Sequence, residues 1–67
     1  MSNDEWIKMQ VGRLPTSVLK QRAFLGYKKK YDEAFENEKI EHKKENSATR
    51  YANLALTDFI KRVLINE

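Results

Sequence analysis

The chain contains no cysteine, so neither a disulfide nor a thiolate metal site can brace it. Histidine occurs once, as His42. There is one proline and there are two glycines, which leaves few points where the backbone must break. No run of about 18 apolar residues occurs, so no membrane span is expected. The opening "MSNDEWIKMQ" is acidic and polar, unlike a secretory leader. With no cysteine to suggest an oxidising compartment, the expected location is the cytoplasm. A glycine-rich phosphate loop is also missing, as is any cysteine nucleophile. A catalytic role is therefore not expected, nor is a cofactor.

What is present is charge and enough apolar material for one core. Charged residues make up 34% of the 67 residues and hydrophobic residues 40%, which excludes wholesale disorder. A chain of this length supports one small domain, whose core supplies about 3–5 kcal/mol. Without a covalent or metal staple, helix packing and self-association are the remaining supports. A homodimer or partner-bound state is expected on that ground. Residues 1–31 carry seven basic side chains against two acids, a net +5. Residues 32–67 carry six against eight, a net −2. Such asymmetry suits an anionic partner or antiparallel pairing of two copies.

The pattern predicts an all-α fold: a helical hairpin of two main helices preceded by a short helical segment, completed by self-association or partner binding. The expected elements are a segment over 3–12, a first main helix over 15–45 and a C-terminal helix over 47–66. The one convincing break is "VGRLPTS", with Gly12 and Pro15. Ser2 and Glu5 have capping-box spacing, and Asn3 is an alternative cap. Pro15 suits a first helical turn, with Thr16 or Ser17 able to cap. Phe24, Tyr27, Tyr31, Ala34 and Phe35 recur in steps of three and four and are expected to face the core. In the last helix, Ala48, Tyr51, Ala52, Ala55, Leu56, Phe59, Ile60 and Val63 form the apolar face, with Asn46 or Ser47 as cap. Arg50, Asn53, Thr57 and Lys61 are placed opposite.

Three groups of residues are candidates for contact. Trp6, Ile7, Met9 and Leu14 form an apolar cluster that would mark a protein-partner site if it does not pack on the hairpin. Arg13, Lys20, Arg22, Lys28, Lys29 and Lys30 are candidate nucleic-acid or anion contacts. Tyr51, Ala55, Leu56, Phe59 and Val63 form a core or self-association face. The triplet "KKK" is less concentrated than it looks, because consecutive helical residues fan out by about 100°. Only Lys29 aligns with Arg22. Glu38, His42 and Glu45 could share a helix face, but a solvated helix explains them without a metal. The expected function is that of a non-catalytic binding protein, an adaptor, inhibitor or modulator that docks on a protein. The alternatives are a basic nucleic-acid-binding regulator and a structural subunit of a larger assembly.

Overall fold

The computed structural model describes residues 3–66. Among them the fold is all-α: α1 spans Asn3–Val11, α2 Ser17–Asn37 and α3 Lys44–Ile65, with a single 3-10 turn at Glu41–Lys43. α2 and α3 run antiparallel and make most of the contact between elements. α1 packs against both. No helix among the described residues is long and apolar enough to cross a membrane.

α1 ends in two tight turns, with Arg13 N–H donating to Gln10 C=O at 3.1 Å and Leu14 N–H to Val11 C=O at 3.0 Å. The connection is then pinned by Leu14, which is buried. Thr16 caps α2: its backbone is extended, and its hydroxyl accepts from Leu19 N–H at 3.2 Å. Pro15 therefore stands just outside the helix rather than in its first turn. The Ser2 half of the expected capping pair lies outside the described residues. Asn3 does not act as the expected cap but donates its side-chain amide to the Tyr27 hydroxyl.

The first main helix stops at Asn37, eight residues short of the expected 45. Glu38 is the reason. Its backbone turns extended, and its carboxylate accepts from Ile40 N–H at 3.2 Å and from the Ser47 hydroxyl at 2.9 Å. One side chain thus closes the hairpin at both ends of the turn. α3 begins at Lys44 with no side-chain cap, and Ser47 sits inside it, bonded across to Glu38. Lys44 donates to Phe35 C=O at 3.2 Å, supplying a cation to the carbonyl end of α2.

The core follows an i+4 ladder on α3: Ala48, Ala52, Leu56 and Ile60 are its buried residues. Ile7, Val11 and Leu14 cover Leu56 and Ile60, and Ala23 is the only buried residue of α2. A nine-residue helix is marginal alone. α1 is held by burying Ile7 and Val11, each contributing about 1.5–3 kcal/mol. Ala48 and Ala52 have no exposed surface, and their small side chains bring the α2 backbone close. α2 presents Tyr27 to α3 beside Asn53, and Ala23 further along, against Leu56 and Ile60. This corrects the expected stripe: Phe24 and Phe35 are exposed at 45% and 37%. Asn53 is likewise not on the outer side, since its side chain accepts from Tyr27 Oη at 2.7 Å.

Ala52→Leu is expected to force the long helices apart and to destabilise by about 1–3 kcal/mol, read as a lower urea midpoint. Gly26 lies within α2, and a Cβ there would meet nothing within 4 Å. Gly26→Ala is expected to raise stability by about 0.4–1 kcal/mol in the same assay.

Candidate functional site

None of the seven aromatic side chains is buried. Trp6, Tyr27, Tyr31 and Phe59 are half-buried, and Phe24, Phe35 and Tyr51 are exposed. The exposed apolar surface is richest on the outer flank of α2. Phe24, Lys28, Tyr31 and Phe35 follow one another there in steps of four, three and four, and Tyr31 stacks on Phe35 with ring centres 6.1 Å apart. Leu25, 69% exposed, stands beside them. Next to this stripe, α1 and α2 enclose an open groove of about 490 Å³. Ile7, Phe24, Leu25, Tyr27 and Tyr31 make its apolar lining, and Asp4, Lys8 and Lys28 its charged rim. The ion pairs among the described residues are Lys30–Glu33 and Arg62–Asp58, so Lys8 and Lys28 are left to solvent.

The structure disperses the expected partner cluster. Ile7 and Leu14 are buried in the core and present nothing to a partner. Trp6 packs half-buried against the same core, and only Met9, 58% exposed, faces outward. Of the face from Tyr51 to Val63, Leu56 is buried, and Ala55, Phe59 and Val63 are half-buried within the chain. Tyr51 lies at the rim, with Lys30 Nζ 5.9 Å from its ring centre.

The basic candidates do not converge either. Arg13 bonds Gln10 at 3.2 Å beyond the end of α1. Lys20 is half-buried. Lys30 leans across to α3, pairing with Glu33 at 3.7 Å and capping Tyr51. Lys28 points to the α1 side. Arg22 and Lys29 remain together on the outer ridge, and Asp32 and Glu36 follow them along it. The break at Glu38 also separates the trio that would have shared a helix face. Among the described residues, no three His, Asp or Glu side chains are placed to hold a metal ion.

A second concavity of about 410 Å³ lies near the hairpin turn, walled by Glu33, Ala34, Asn37, Glu38, Ser47 and Tyr51. Its one perturbed group is Glu38. The Ile40 N–H and then the Ser47 hydroxyl hold its carboxyl below the ordinary value, against a smaller opposing effect of desolvation.

Comparison with protein-family models, curated proteins and solved structures returns no match. The site stands on the geometry of the chain itself. Phe24, Leu25 and Phe35 are its unanticipated members. The signal for Phe24 and Phe35 was present: a 4-3-4 spacing with lysine inside it is a seam period, not only a core period.

Ser47→Ala is expected to raise the Glu38 pKa toward the ordinary carboxylate range, read by NMR titration of its side-chain carbons. A carboxylate with a depressed folded pKa stabilises above its unfolded pKa, and that contribution is lost as pH falls through the folded value. The acid side of the stability profile should therefore be shallower in Ser47→Ala.

Proposed function

We propose that this protein is a non-catalytic docking module, an adaptor, inhibitor or modulator, whose contact surface is the outer aromatic stripe of α2. The observation supporting this is the exposure of Phe24 and Leu25 on an open apolar groove, with exposed Phe35 about three turns on along the Phe24 side. Single exposed apolar residues are ordinary, but a contiguous patch rimmed by charge marks a protein-contact surface. Aromatic residues are enriched at such contacts, where their rings bury large area with few rotors to freeze. Two lysines on the groove rim suit a helix that carries carboxylates beside its apolar anchors.

A polypeptide suits this surface better than a nucleic acid. Asp32 and Glu36 lie along the ridge that Arg22 and Lys29 begin, so a phosphate backbone following the helix would meet carboxylates within two turns. Lys30 is already engaged with α3.

A photoreactive benzoylphenylalanine in place of Leu25, in the producing cell, is expected to crosslink to polypeptide. The same residue in place of exposed Lys61 on α3 should give none. Mixed with DNA or RNA at low salt, the purified protein should leave both free. Nucleic-acid adducts at Leu25, with binding that weakens steeply as salt rises, would overturn the proposal.

A further inference from the structure

We infer that the helix received by this face is α2 of a second copy, running antiparallel. The inference rests on the docking reading above and names the occupant of the same surface. Its basis is the symmetry of the stripe. Phe24, Lys28, Tyr31 and Phe35 are spaced four, three and four, so the pattern is the same read in either direction. The centre of the pattern lies midway between Lys29 and Lys30. A two-fold axis through that point places Phe24 on the partner's Phe35 and Lys28 on the partner's Tyr31. The partner's Asp32 then lies one residue from Lys28, where the ammonium meets a ring face and a carboxylate together. The two-fold axis repeats each of these contacts. Phe24 against Phe35, and Lys28 against Tyr31 and Asp32, are the contacts that make the face self-complementary, as an isologous interface requires.

The surrounding structure leaves room for this pairing. α1 borders the groove only along the first half of the stripe, through Asp4, Ile7 and Lys8. Around Phe35 the flanking residue is Lys44 of α3, whose ammonium lies 5.4 Å from the ring centre. Along α2, the antiparallel arrangement sets the segment of each chain with Lys20, Arg22 and Lys28 against the segment of the other with Asp32, Glu33 and Glu36. It also covers the apolar surface that a core of five large side chains and three alanines leaves outside.

Sedimentation of the full chain across a concentration series tests the inference. The expected mass is twice 7.9 kDa. Lys28→Glu and Asp32→Lys should each weaken self-association by about tenfold or more, because each sets like charges opposite one another twice. An equimolar mixture of the two variants should restore it, since every pair is then of opposite sign. Phe24→Asp should abolish it. All three positions are exposed, so circular dichroism should match the parent in each case. A monomer up to the millimolar range, or a dimer indifferent to both charge reversals, overturns the inference. A monomer whose Leu25 position still crosslinks to another protein removes the second copy but leaves the docking reading. Absence of any polypeptide adduct at Leu25 removes both.

Discussion

Two methyl groups set the distance between the long helices. Ala48 and Ala52 occupy the first half of the α3 ladder and are fully enclosed, so nothing but a Cβ separates that part of α3 from α2. Ala23, the single buried residue of α2, lies further along, clustered with Leu56 and Ile60. A close approach of this kind excludes bulk from the seam. Larger side chains must leave it sideways, and on α2 they do so as Tyr31 and Phe35. The thick part of the core is displaced toward the other end of α3, where Leu56 and Ile60 meet Ile7, Val11 and Leu14. The third helix is thus needed because the hairpin is tight at one end and wide at the other.

The same approach positions the main polar link of the fold. Tyr27 reaches past the alanines so that its hydroxyl donates to Asn53 and accepts from Asn3, both at 2.7 Å. One phenol therefore touches all three helices. Neutral hydrogen bonds of this type contribute about 1 kcal/mol each, so hydrophobic burial remains the larger contribution to holding α1. The link supplies direction. It sets the position of Asn3 along α2, and hence where α1 borders the groove.

Much of this architecture was legible in the residues. The α3 face was readable because Ala48, Ala52, Leu56 and Ile60 share one ladder with polar residues behind it. The break at Gly12 and Pro15 and the Thr16 cap follow from local chemistry that needs no tertiary context. α2 was harder to read, because aromatic side chains lie on two adjacent flanks and periodicity cannot choose between them. The choice depends on the size of the residues on α3, a fact about the opposing helix. The end of α2 was hidden for a related reason. Glu38 looks like an ordinary helical residue until Ser47 is brought across the hairpin to bond it. The exposed apolar surface was only half visible. Trp6, Ile7, Met9 and Leu14 read as one apolar cluster, and the fold draws Ile7 and Leu14 inward while Phe24, Leu25 and Phe35 take their place outside.

The alanine seam also reverses a common rule of mutational tolerance. In most small domains the large apolar residues are the sensitive positions and alanines are permissive. Here three aromatics sit where the monomer fold asks little of them, and their identity is free to drift under whatever selection acts on the surface. The alanines have no such freedom. Any larger side chain at 48 or 52 changes the helix spacing, and with it the reach of Tyr27 and the seat of α1. In this chain the smallest side chains constrain the fold, and several of the largest are available for function.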